Sequence, residues 1–302
     1  MFFTGRFAHA STSKPYGERM TDDGPDGPAW RHRLRRVVGA AREWEAIGQR
    51  EPEVHPRSEL AGDDARWPKY PASSLVRMNL LAAFDHLGLA ADDVERVLNQ
   101  EGPLRTQAPF TLTRSALLGA SHAVWVLCSE DREERVRRGL ALAEHDLKDM
   151  SDYFRDYLED DDRLHEDVSQ DLLDAMRARY ESIKRQRTAI AQQLGGKPPN
   201  ATRILREAAL YLTRRERDSW QLRALRSEWR MSSASAHGRL WPFFVRPTER
   251  IPRPGGGETR IMLATLQDCA TAMGAATLMT SEALRLWDQR SSRPNAGAAF
   301  GL

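Results

Sequence analysis

The feature that most constrains the fold is the run Leu117 to Leu127, which is apolar on nearly every side of a helix. A helix with no polar face must sit in the middle of other helices, so this run predicts the centre of a bundle. Helical periodicity recurs around it. Trp30 to Ile47 repeats Leu34, Val37, Val38, Ala41 and Trp44 at helical spacing, with arginines on the other face. A Pro- and charge-rich connector, Glu51 to Pro71, precedes a helix capped by Ser73 or Ser74 that runs to Leu89. A shorter helix, Ala91 to Asn99, stops at Gly102-Pro103. The central helix starts at Thr111 or Thr113. It is followed by long charged helices over Asp131 to Leu158 and His165 to Leu194, separated by the acidic run Glu159 to Asp162. Gly195-Gly196 and Pro198-Pro199 end the second of these. Asn200 or Thr202 caps Arg203 to Leu212, and a further helix covers Glu216 to Met231. Only Phe243 to Arg250 and Glu258 to Met262 read as strands, around the turn Arg253-Pro254-Gly255-Gly256-Gly257. The last helix is expected from Ile261 to Trp287. The expectation is an all-α helical bundle in one domain, 30–288, with one small β-hairpin before the last helix. Residues 1–29 and 289–302 are expected to be disordered.

Composition narrows the function classes. The net charge is +2, so bulk electrostatics point neither to nor away from nucleic acid, and there is no DNA-specific signal. Only five of the 45 basic residues are lysines, a bias that GC-rich codons produce. No apolar run approaches the roughly 20 residues that cross a bilayer, and Met1 to Tyr16 lacks a secretory pattern. Cys128 and Cys269 lie far apart in apolar runs, as reduced core residues of a cytoplasmic protein do. Gly17-Glu18-Arg19 can be encoded as a purine run resembling a ribosome-binding site before Met20, so Met20 is the expected start and 1–19 an over-extended reading.

The densest chemistry is Trp229-Arg230-Met231-Ser232-Ser233-Ala234-Ser235-Ala236-His237-Gly238-Arg239. Arg holds phosphate bidentately and His moves protons near neutral pH, so Arg230 and His237 are candidate catalytic residues for metal-free RNA cleavage. Ser232, Ser233, Ser235 and Arg239 are candidate substrate-binding groups. The competing reading is that the segment ends a helix, with Gly238 as its closing glycine. Arg114 and His122 form a second pair two turns apart on the apolar helix, either joining the same pocket or belonging to an internal network with Asp85 and His86. His145, Asp146, Asp149 and Asp152 lack the inward Glu-x-x-His repeats of a di-iron bundle, and neither metal nor cofactor is implied. The phosphate-binding Gly-x-x-x-x-Gly-Lys-Ser/Thr loop, the Gly-x-Ser-x-Gly elbow and His-Glu-x-x-His are absent from the sequence. The clusters Arg31-Arg33-Arg35-Arg36 and Arg214-Arg215-Arg217 read as ordinary charged helix faces.

Arg230-x6-His237 resembles the loose Arg-x4-6-His pattern of HEPN-type helical proteins, many of them metal-independent ribonucleases. The helix opening Arg114-Ser115-Ala116-Leu117-Leu118-Gly119-Ala120, with the later Ser-rich turn and His237-Gly238, is also similar to an uncharacterised helical protein family of high-GC bacteria over roughly residues 70–290. The HEPN-like resemblance implies Arg230 as phosphate holder, His237 as general base, RNA as substrate and a homodimer around the site. Met231 follows Arg230 where the common pattern has a polar residue, and there are helices beyond a four-helix core. The alternative is a non-catalytic helical module that binds a ligand or a protein.

Overall fold

In the computed structural model, which describes residues 27–50, 53–159, 168–216, 219–253, 255–262 and 264–293, the elements are as follows. Helices α1 (Gly27–Gly48), α2 (Glu59–Asp64), α3 (Ala72–Leu98), α4 (Ala108–Leu127), α5 (Arg132–Glu159), α6 (Gln170–Leu194), α7 (Ala201–Glu216), α8 (Ser219–Ala236) and α9 (Pro242–Val245) come first. The hairpin β1 (Thr248–Pro252) and β2 (Glu258–Met262) follows, and α10 (Leu266–Ser291) ends the described chain. This is the expected all-α bundle with a small hairpin before the last helix. None of these helices is long and apolar enough to cross a membrane.

Helix α4 takes the central place its apolar surface requires, packed by α3, α10, α8, α7 and α5. Its buried hydroxyls are satisfied within the helix, Ser121 Oγ donating to Leu117 O at 2.6 Å and Thr113 Oγ1 to Pro109 O at 2.9 Å. The α3 and α4 backbones approach closely at Gly119, where a Cβ would overlap the carbonyl oxygen of Asn79. Gly119→Ala is therefore expected to cost about 1–3 kcal/mol despite the better helix propensity of Ala. Gly88→Ala, whose Cβ would meet only the swinging end of Glu45, is expected to be near neutral. Urea unfolding of the two variants checks the contrast. A second, smaller core joins α5 and α6 through Leu140, Ala143, Leu147, Ile183 and Ile190.

Several boundaries differ from expectation. Helix α3 is continuous through the predicted break near residue 90. Arg42 of α1 ties its second half down by pairing with Asp92 at 2.5 Å and with Glu95. Neither Ser73 nor Ser74 caps α3. Asp64 of α2 does so instead, accepting from Ser73 N at 3.0 Å and Ser73 Oγ at 2.6 Å. The strand expected from Phe243 begins only at Thr248, because Pro242 starts a helical turn closed by Arg246 N donating to Pro242 O at 2.9 Å. Helix α10 starts at Leu266, fixed by the reciprocal capping box of Thr265 and Asp268. It ends at Ser291 rather than before residue 289, because Arg290 is buried against α2 and the end of α4. The N-terminal boundary also shifts, since α1 begins at Gly27. The Met20 expectation and residues 294–302 fall outside the described residues.

The hairpin pairs Thr248 with Met262 through Pro252 with Glu258, antiparallel. Its turn needs glycine: Gly255, Gly256 and Gly257 all have φ between 85° and 98°.

Candidate functional site

Helix α8 ends in the left-handed turn that Gly238 allows. With φ at +59°, Gly238 N donates to Ser235 O at 3.1 Å and Arg239 N to Ala234 O at 2.9 Å. His237 is thus the first residue past the helix. Seven residues turn an α-helix by nearly two full turns, so Arg230 and His237 share one face, about 10 Å apart along the axis. Ser233 lies between them on that face, half-buried. Ser232 and Ser235 point the other way and are only 2% and 4% exposed. Of the three serines expected to orient an anion, only Ser233 lines the groove; the helical period turns the other two into the core.

Arg230, Ser233, His237 and Arg239 form one wall of a groove of about 620 Å³. The opposite wall is the start of α7, from Asn200 to Thr202, where Asn200 Oδ1 caps the helix by accepting from Arg203 N at 3.0 Å. The groove therefore receives the positive end of the α7 dipole. Trp229 and Arg114 lie between the walls. The Arg114 guanidinium stacks on the Trp229 ring at 4.9 Å, and the ring is anchored to Thr202 Oγ1 at 3.4 Å. Trp241 forms the outer lip. Among the described residues, no carboxylate lines the groove or pairs with Arg114, Arg230 or Arg239. Three unpaired guanidiniums, an imidazole and a helix N-terminus make a site for an anion.

His122 does not join this groove. Arg114 and His122 sit eight residues apart on α4, about 80° apart around the axis, and the two side chains diverge. His122 turns toward α3. Asn79 donates through Nδ2 to Leu75 O at 2.9 Å, which leaves its Oδ1 to accept from His122 Nδ1–H at 3.0 Å. That bond fixes the tautomer, so Nε2 carries the lone pair; it is buried and, among the described residues, has no partner, and the same holds for Nε2 of His145. Burial, helped by the neighbouring His145, holds His122 down at about 4. The polar partner was expected from Asp85 and His86. Asp85 is instead exposed, and His86 Nδ1 bonds Ala82 O at 2.6 Å.

Sequence reasoning missed Trp229, Trp241, Asn200 and Thr202 as groove residues; Trp229 and Trp241 flank the motif, and only the tertiary fold could bring in Asn200 and Thr202. It also missed a buried ionic pocket behind α8. Arg246 lies over the Phe110 ring at 3.6 Å, with Nη2 unpartnered among the described residues, and attracts Asp268 and Glu228. Burial pushes the Glu228 carboxyl up to about 7, with Arg246 opposing the rise and Asp268 adding to it. Arg33, Arg35 and Arg36 stay on the exposed face of α1, Arg33 stacked on Trp30 at 4.4 Å.

A scan against protein-family models finds no matching family, and searches of curated proteins and of solved structures find no match either.

Proposed function

We propose that the groove binds the phosphodiester backbone of RNA and cleaves it without a metal ion, as a HEPN-like endoribonuclease does. The observation that carries this reading is the groove lining itself, in which Arg114, Arg230, Arg239 and His237 face one space with no carboxylate among its described residues. In this reading His237 takes the proton from the 2′-hydroxyl, and the oxygen attacks the adjacent phosphorus. The 5′-oxygen then leaves, taking its proton from water, and gives a 2′,3′-cyclic phosphate, while the His237 imidazolium returns its proton to solvent. Arg230 and Arg114 hold the nonbridging oxygens as charge grows on them.

The test is cleavage of a mixed-sequence RNA pool in EDTA. Native protein is expected to produce 2′,3′-cyclic phosphate ends and to leave the matching DNA pool intact. His237→Ala is expected to lower the rate at least about a hundredfold. Folded native protein that cuts no RNA would transfer the groove to the second reading, a module that binds an anionic ligand without reacting it. One observation favours that second reading. The His237 ring has no hydrogen bond among the described residues, whereas a general base is normally oriented by a third group. In the homodimer that the resemblance implies, a second copy would have to supply that group.

A further inference from the structure

The lip of the groove carries apolar surface that the fold does not use. Leu240, Trp241, Phe244 and Val245 are 69%, 42%, 71% and 61% exposed, directly after Arg239. Among the described residues, the other exposed large hydrophobic side chains are scattered singly over α1, α3, α5 and α6. Scattered ones need no explanation, but four within six residues mark a contact surface. Helix α9 is short, packs on α8, and its N-terminal Pro242 is the residue it buries. Trp241 both belongs to this surface and lines the cationic groove.

The occupant must therefore offer negative charge to Arg239, Arg230 and Arg114, and a flat apolar face to Trp241 two residues beyond Arg239. A nucleotide in an unpaired strand offers both, with its phosphate at the arginines and its base on the indole. A base within a duplex offers the charge alone, because both its faces are already stacked. We infer that the groove selects unpaired strands, with Trp241 as the base-stacking platform beside the Arg239 phosphate site and Phe244 as the next apolar contact outward. This rests on the reading of the groove as a phosphodiester site, not on its cleaving the strand.

Binding separates the two. Fluorescence anisotropy is measured with a fluorescein-labelled 2′-O-methyl oligonucleotide of about 12 nucleotides, which cannot be cut, and with the same sequence as a duplex. Native protein is expected to prefer the single strand. Trp241→Ala should weaken that binding about 5- to 100-fold, and Trp241→Phe should restore most of it. Because the indole is an exposed lip residue, these variants should keep the native unfolding midpoint. If RNA is never cut but oligonucleotide binding depends on Trp241, cleavage falls and this inference stands. Equal binding of strand and duplex would overturn it, as would Trp241→Ala binding at native strength. It would also be overturned if Trp241→Ala left oligonucleotide binding intact and instead abolished either self-association on sedimentation or binding to phosphatidylserine vesicles.

Discussion

Asp63→Ala is expected to destabilise the fold by about 3–5 kcal/mol, the largest loss from any single truncation considered. Asp63 and Arg135 are both buried, and their pairing is bidentate: Arg135 Nε donates to Oδ2 at 2.7 Å and Nη2 to Oδ1 at 3.0 Å. The rest of the guanidinium is also satisfied, Nη1 donating to Ser129 O and Glu130 O, each at 3.0 Å, while Glu59 lies 3.2 Å from Nη2. Removing the carboxylate leaves a buried cation facing carbonyls and a single half-exposed Glu59. The cost is that of an uncompensated charge rather than of a lost contact. Replacing both partners removes the stranded charge, so Asp63→Leu with Arg135→Met should recover much of the loss. Urea unfolding across this double-mutant cycle reads both terms. A loss under about 1 kcal/mol for Asp63→Ala would mean that water reaches the arginine and that the clamp does little for stability.

The same clamp shows where sequence reading stops. The central helix was legible because an all-round apolar surface has one possible environment, and α5, α6 and α10 were legible because their periodicity is long. Helix α2 was not. Its six residues, Glu-Leu-Ala-Gly-Asp-Asp, have the composition of a loop, and what makes them a helix is the Ser58 cap and an ion pair to Arg135, 72 positions away. Phe243-Phe244-Val245 failed differently. Its β-propensity is genuine, but Pro242 fixes the first helical turn and the strand can form only after Pro247. The end of α10 was placed too early because a buried arginine near a C-terminus looks like a surface residue until Glu59, Glu130 and the Leu127 carbonyl are seen around it.

The candidate site divides along the same line. That Arg230 and His237 share a face follows from seven residues of helix, and the structure places them on one groove wall. Spacing alone also gives Ser233 the groove side and puts Ser232 and Ser235 behind it. Arg114 reaches the groove only because Trp229 holds its guanidinium, a contact between residues 115 positions apart in the chain. Its supposed companion His122 is drawn elsewhere by Asn79. Pairing residues by helical spacing works within one face and fails when the neighbours of that face differ from turn to turn.

His122 and Glu228 also set an opposed pair of pH dependences, and separating them is the second large effect expected. His122 titrates near 4 in the folded protein against an ordinary 6.5. Between those values the unfolded chain holds a proton that the native state lacks, so stability falls as pH drops from 6.5 to 4. Glu228 titrates near 7 against an ordinary 4.5. There the native state holds a proton that the unfolded chain has lost, so stability falls as pH rises from 4.5 to 7. At 1.36 kcal/mol per pH unit each swing is about 3 kcal/mol, and between pH 4.5 and 6.5 the two slopes cancel. The native protein should therefore show little net dependence from this pair in that window, and single substitutions should uncover it. Relative to native, His122→Gln should gain about 3 kcal/mol as pH falls from 6.5 to 4, and Glu228→Gln should gain about 3 kcal/mol as pH rises from 4.5 to 7. Urea unfolding of the three proteins at half-unit pH steps reads the differences, in which the slopes of all other carboxylates drop out. Curves that stay parallel to native would mean that both groups titrate in the folded state as they do in the unfolded chain. Neither burial between α3 and α4 nor the pocket behind α8 would then hold them as the structure shows.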